Sequence, residues 1–308
     1  MESFRKNLSV FLAFFTPSAG WLFLFFIAPL GIIFVYSFSE TISLTEVKLT
    51  WTFENYARLL EPEIQTLFWR SIWLASISTA ICLVVGYPMA LVIATAPAKW
   101  KPWLLLIVIL PFWTNLLIRT YALLNILGTR GRVNEGLEWL WIRADGFLNF
   151  VGLGAYDLIG EDYEPIVFLG RWSGVIIGLV YVQLPFTILP IFASLERLDR
   201  SFLEASLDLG ASQWRTFRSI LLPLTMPGVI TAAIITFIPM LGSFLTPALL
   251  GRGQVDMIAN VIERQFKGAN DWPFGSAMSL FLLYLTFIIL AVQAFAAMQK
   301  QRRRDRRG

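Results

Sequence analysis

Histidine is missing from the 308-residue chain, and cysteine occurs once, as Cys82. The first absence excludes an imidazole base, a Ser-His triad and His-ligated zinc or haem. The second excludes an internal disulfide and a thiolate cluster. No metal site is therefore expected. No G-x-x-x-x-G-K-[ST] stretch occurs, so the chain brings no P-loop of its own. Charge is scarce too: Asp, Glu, Lys and Arg make up 15% of residues, against about a quarter in a soluble domain.

What fills the space is apolar. Hydrophobic residues reach 56%, with 26 Phe and 12 Trp, and the mean hydropathy is +0.65. A span needs about 20 apolar residues to cross a core of about 30 Å. Six segments qualify, near 20–38, 72–95, 103–126, 175–195, 221–245 and 275–298. The expected fold class is all-α, a polytopic membrane protein of six transmembrane helices. The start of the chain is not read as a signal peptide. Arg5 and Lys6 precede an apolar run, but no A-x-A site follows, and residues 9–16 read as an interfacial lead-in to an uncleaved first span.

Basic residues set the expected orientation. With the N-terminus inside, the inner segments hold fourteen Lys and Arg against six acids, and the longer outer loops hold ten against fifteen. The tail from Lys300 to Arg307 carries six basic residues by itself. Both termini are thus expected in the cytoplasm. A basic run directly after a span is a topology anchor that meets lipid, not a nucleic-acid patch.

Nine of the 15 prolines fall in or beside spans, including Pro88, Pro111, Pro185, Pro223 and Pro239. Kinked spans point to a bundle with a cavity or moving parts, although membrane helices tolerate proline in any case. Gly170, Gly174 and Gly178 form a small-residue stripe that lets a neighbouring backbone approach closely.

The loop between spans four and five is the most informative stretch. It runs Glu204-Ala-Ser-Leu-Asp-Leu-Gly210-Ala-Ser-Gln-Trp-Arg-Thr-Phe217-Arg-Ser-Ile220-Leu-Leu-Pro223. Leu203, Leu207, Phe217 and Ile220 recur at helical spacing. Gly210 suits the left-handed end of one short helix and Ser212 the cap of a second. The two would form a knob; the plainer alternative is an amphipathic loop on the membrane surface.

Glu204, Ala205, Gly210, Ile220, Leu222 and Pro223 resemble the E-A-A-(x)3-G-(x)9-I-x-L-P signature of permease subunits in type I ABC importers, with Ser206 in place of the second alanine. The likeness extends to the B-type subunit of spermidine/putrescine permeases. It is carried by Pro111-Phe112-Trp113-Thr114-Asn115 through Tyr121, Gly128-x-x-Gly131-x-x-Asn134, Asn55-Tyr56-x-Arg58-Leu59-Leu60, Pro223-Leu-Thr-Met-Pro227-Gly228 and Asp271-Trp-Pro-Phe-Gly275. The match is weakest over 146–164. The resemblance implies a subunit of the bacterial inner membrane that is not itself a catalyst. It implies a homologous second permease, an ATPase dimer holding ATP and Mg, and an external substrate-binding protein. Glu204, Ala205, Asp208, Gly210, Arg215 and Phe217 would couple to the ATPase. Residues 67–298 would be the permease domain with a coupling loop at 196–222. Residues 1–66 would carry the first span, and 299–308 the basic tail.

A polyamine path needs aromatic faces for ammonium groups and methylenes, together with carbonyls or carboxylates. Phe112, Trp113, Asn115, Tyr121, Tyr181, Gln183, Phe237 and Phe244 are the candidates, with ordinary span packing as the alternative for each. Arg119 lies 16 residues after Trp103 in the sequence. On a straight helix that is about 24 Å, near the outer boundary of the apolar layer, where it would hold the outer mouth. Asp157, Glu161, Asp162 and Glu164 are candidate docking groups or simply a solvated loop. Importers of thiamine, ferric iron or sulfate share the loop signature. An ion-coupled secondary transporter would need embedded acids, which the spans lack. A membrane enzyme is disfavoured by the missing His and near-missing Cys.

Overall fold

The computed structural model describes residues 8–43, 46–150, 163–199 and 201–305, the side chains of 8–10, 12, 13, 146–150 and 292–305 excepted. The expected docking groups Asp157, Glu161 and Asp162, and the basic side chains of Arg5, Lys6, Arg200 and the tail, lie outside the described residues. The chain is an all-α polytopic membrane protein. Five helices are long and apolar enough to cross a membrane: Phe14–Ser37, Pro62–Thr95, Trp172–Glu196, Gln213–Leu241 and Trp272–Ala291. A bent pair, Lys101–Trp113 and Leu116–Ile126, whose halves meet at 95°, is apolar enough only when taken together and makes six when counted as one broken span.

The chain divides into two compact units, 1–66 with 261–308, and 67–260. In the first, helix α1 (Leu8–Leu22) passes through a wide π turn at Phe23–Ile27 into α2 (Ala28–Ser37). Its outward apolar side chains suit a lipid surface, for which every backbone group must already be paired within the helix. A short antiparallel ribbon follows, β1 (Ser39–Ser43) and β2 (Glu46–Leu49), then the turn of helix α3 (Glu54–Arg58). Among the described residues the ribbon is the one departure from all-α, and β-branched Thr41, Ile42 and Val47 favour extended backbone there. Buried Asn55 fixes it, donating from Nδ2 to the carbonyls of Ser37 and Ser39 at 3.1 and 2.8 Å. Arg58 meets Asp271 at 2.8 Å and lies 3.8 Å over the Phe274 ring. Asp271 also accepts from Thr41 Oγ1 and from the Phe274 amide, capping the last long helix. Two motifs more than 200 residues apart in sequence are therefore halves of one clamp.

In the second unit, α4 (Pro62–Thr95), α8 (Trp172–Glu196) and α11 (Leu222–Leu241) form the core. Between α4 and α8 in sequence come α5 (Lys101–Ile109), a tight turn Leu110–Trp113, α6 (Leu116–Ile126) and α7 (Arg132–Phe150). Tyr87, Ala90, Ile93, Ile188, Ile191, Leu195, Leu221 and Ala232 pack together at the centre. Lipid is as apolar as leucine, so close approach and dispersion hold such helices together rather than water exclusion. Gly178 admits Leu250 and Thr246 of the short helix α12 (Leu245–Leu250), and a Cβ there would overlap both. Gly228 likewise admits Ser194. Gly170 falls before α8, so only Gly174 and Gly178 of the expected stripe sit on it.

Three expectations on the spans are corrected. The third span is broken, because Pro111 supplies no N–H and Asn115 starts a new helix by capping the Leu117 amide at 2.7 Å. The fifth helix ends at Leu241, leaving Phe244 beyond it. The Arg119 depth computed on a straight helix therefore fails. Helix α13 (Ile258–Lys267) and α14 (Trp272–Asp305) complete the chain.

Candidate functional site

The loop after α8 folds as the knob its sequence predicts. Helix α9 (Ser201–Asp208) starts where Asp199 accepts from the Ser201 amide at 3.0 Å, a bond that holds the exposed carboxyl below its usual pKa. It ends at Gly210, whose φ of 81° lies in the left-handed region. Ala211 N–H donates to the Ser206 carbonyl at 3.1 Å and Gly210 N–H to that of Leu207 at 2.9 Å. That pair is a Schellman ending, which satisfies carbonyls the helix would otherwise leave bare. Ser212 then caps α10 (Gln213–Thr216) through the Arg215 amide at 3.3 Å. Ser206, the residue that departs from the signature, shares a buried hydroxyl pair of 2.9 Å with Thr216 and ties the two helices.

The second arm is no isolated helix. It continues through a wide turn at Phe217–Leu221 into α11, ahead of Pro223, as one helical run over Gln213–Leu241. Of the expected coupling residues, Glu204, Ala205, Asp208, Gly210 and Arg215 are exposed. Phe217 instead turns inward, stacked on Trp214 at 5.3 Å and edge-on to Tyr87 at 5.6 Å. Tyr87 bonds Thr225 at 2.9 Å. The knob also presents Phe202, Trp214 and Leu209, the last 88% exposed. A cavity of about 560 Å³, lined by Ser194, Arg197, Asp199, Phe202 and Gly228 among others, opens beside it. Lys101 Nζ holds both oxygens of Glu196 at 2.8 Å, joining the start of α5 to the end of α8.

The path candidates differ in exposure. Phe112, Trp113, Tyr121, Tyr181 and Phe244 are exposed, Phe237 is half-buried and Gln183 is buried. Phe112 meets Phe186 edge-on at 5.2 Å. Asn115 is occupied as a cap. What the sequence reading missed is a polar layer around Gln183. Thr187 and Thr236 share a 2.8 Å hydroxyl bond, Thr79 reaches Met240 Sδ at 3.5 Å, and Cys82 reaches the Val180 carbonyl at 3.7 Å. Gln183 Oε1 and Ser78 Oγ are buried without a partner among the described residues. The signal was a polar pair four apart, Gln183 and Thr187, inside an apolar run.

Comparison with known proteins gives the class. Residues 6–305 match the family described as binding-protein-dependent transport system inner membrane component, and the chain belongs to that family. It is 41% identical over 273 residues to the spermidine/putrescine transport system permease protein PotB of Escherichia coli strain K12, covering 89% of this chain and 92% of that protein. The PotB of Haemophilus influenzae is 37% identical over 89% of each chain. The fold is that of a chain in the crystal structure of a bacterial alginate ABC transporter in complex with an alginate pentasaccharide-bound periplasmic protein. There the TM-score is 0.67 at 16% identity, with 94% of each chain covered.

Proposed function

We infer that the chain is one of two permease subunits of an ATP-driven importer of spermidine or putrescine. The observation that carries the coupling role is the knob: two short helices locked by Gly210, Ser212 and the Ser206–Thr216 pair, with Glu204, Asp208 and Arg215 facing outward. Such a body can seat in a cleft of a separate ATPase, which supplies the P-loop and binds ATP and Mg. The fixed bridge from α5 to α8 and the run from knob to α11 would carry that subunit's closure into the spans. Residues 196–222 are the coupling loop of a permease domain at 67–298, and the basic tail 299–308 and both termini lie in the cytoplasm. The cargo reading rests on the similarity to the PotB proteins and on the 111–121 stretch. Substrate reaches the chain from an external binding protein, and exposed Glu164 is left as a docking group.

Ring faces on Phe112, Trp113 and Tyr121 would each contribute about 0.5–2 kcal/mol to a passing ammonium, so affinity resides mainly in the binding protein. Gln183 supplies a carbonyl oxygen on the path. The test is uptake of labelled polyamine into proteoliposomes carrying all partners, with ATP on the ATPase side. Expected is ATP-dependent accumulation of spermidine or putrescine. Uptake of thiamine, ferric complexes or sulfate with no polyamine would overturn the cargo and leave the importer class.

A further inference from the structure

Phe217 stands within the signature stretch of the knob, yet its ring turns toward the spans. It is the first residue of the wide turn Phe217–Leu221 that joins α10 to α11. In that turn the Leu222 N–H reaches back five residues to the Phe217 carbonyl, and Pro223 then offers no N–H at all. The backbone ladder is therefore loosened between the knob and the long helix behind it. A displacement of the knob is spent in flexing this joint unless side chains brace it.

Tyr87 of α4 is such a brace. It is 7% exposed and presents its ring to Phe217 at 5.6 Å, with the two planes at 87°. Its hydroxyl meets Thr225 Oγ1 at 2.9 Å. Thr225 commits its own hydrogen to the Leu221 carbonyl at 2.8 Å, so Tyr87 is the donor. Leu221 is the last residue of the wide turn. Tyr87 thus grips both ends of the joint, the first by ring contact and the last through one intervening hydroxyl. On the other side of Phe217 lies Trp214, stacked at 5.3 Å and 68% exposed. A row of aromatic contacts runs from the surface of the knob to α4.

The row arrives at a particular point of α4. Tyr87 precedes Pro88, which leaves the Val84 carbonyl without its helical donor. Proline is where long helices kink. A push on the Tyr87 ring therefore acts where α4 bends most easily.

We propose that Tyr87 is the residue through which the knob moves α4. The inference rests on the reading of the knob as the coupling loop. It adds a second helix that the knob drives and the side chain that transmits the motion. Tyr87 is a positioning residue: being buried, it meets neither the ATPase nor its nucleotide. Packed rings and hydrogen bonds pass on a displacement because they switch between discrete arrangements rather than stretch.

The experiment uses the full complex in proteoliposomes. Tyr87→Phe keeps the ring and releases the far end of the joint. It strands no group, since Thr225 still bonds Leu221. Phe217→Leu keeps an apolar side chain and removes the ring contact. Recovery of the ATPase with the complex and basal hydrolysis should match wild type in both, and Tyr87→Phe should melt within about 4 °C of it. Substrate-stimulated hydrolysis should fall roughly fivefold or more in each. The double variant should fall no further than the weaker single variant, as for two parts of one unit. Wild-type stimulation in both single variants, losses that multiply in the double variant, or a loss that tracks a larger fall in melting temperature would overturn the proposal. So would a fall in ATPase recovery, which would place the two residues in the docking contact. If the wild-type chain recovers no ATPase, the coupling reading of the knob fails first, and the proposal with it.

Discussion

Two breaks between helices lie in the same unit of this chain, and they are built differently. At the knob, Gly210 and Ser212 separate α9 from α10, and the chain itself pairs the groups that the break frees: the Schellman carbonyls, the capped Arg215 amide and the Ser206–Thr216 hydroxyls. At Thr114 the third span turns through 95° and its new helix is capped by Asn115, while Arg119 Nε one turn later has no hydrogen-bond partner among the described residues. A self-contained break can move as a body against another protein. A break that leaves a buried polar atom unpaired beside it is held less completely by its own hydrogen bonds.

The sharpest way to break this comparison is Gly210→Val. A β-branched residue in the left-handed region costs about 1–2 kcal/mol for the turn alone and misaims α10. Expected is normal insertion with substrate-stimulated ATP hydrolysis reduced to the basal rate in reconstituted complexes. Retained stimulation would mean that the knob is not the coupling element. Next comes Glu204→Ala, which removes an exposed carboxylate. Melting should be unchanged while stimulated hydrolysis falls several-fold, and equal loss of melting temperature would place Glu204 in the fold rather than at a contact.

That knob was legible in the sequence because its signals are local. A glycine with a left-handed role, a serine cap and apolar residues at three and four were read within twenty residues. The third span was misread because its apolar run is unbroken even though its backbone is not. The signal lay in Pro111 followed by Asn115, a lost donor and then a helix cap, which a count of apolar residues ignores. The clamp between Asn55, Arg58 and Asp271 was visible only as two separate motifs, since nothing local pairs residues more than 200 apart. The inward turn of Phe217 and the polar layer at Thr187 depend on which helix face meets which neighbour, and single-chain periodicity does not specify that.

Smaller tests sharpen the contrast. Asn115→Ala removes the cap at the bend and should cost about 1 kcal/mol, read as a lower melting temperature in detergent together with reduced uptake. No change would mean that the bend is held by its neighbours. Ser206→Ala should cost about 1 kcal/mol by stranding the Thr216 hydroxyl, and adding Thr216→Val should recover part of it. A strictly additive pair, measured by denaturation of both single variants and the double, would show that the two hydroxyls do not act together.

The helical run from Gln213 to Leu241 has 29 residues; besides the wide turn before Pro223 it carries Pro227 and Pro239, each of which lacks an N–H for the ladder. At 1.5 Å per residue it is a rod of about 43 Å, longer than the hydrocarbon layer. Mechanically it is a see-saw. A tilt of about 10° about its midpoint swings each end by about 4 Å, in opposite directions, without a single backbone hydrogen bond being broken. Force applied at Trp214 thus reaches the far end as geometry, and the stiffness of that one rod sets how much of it is lost on the way.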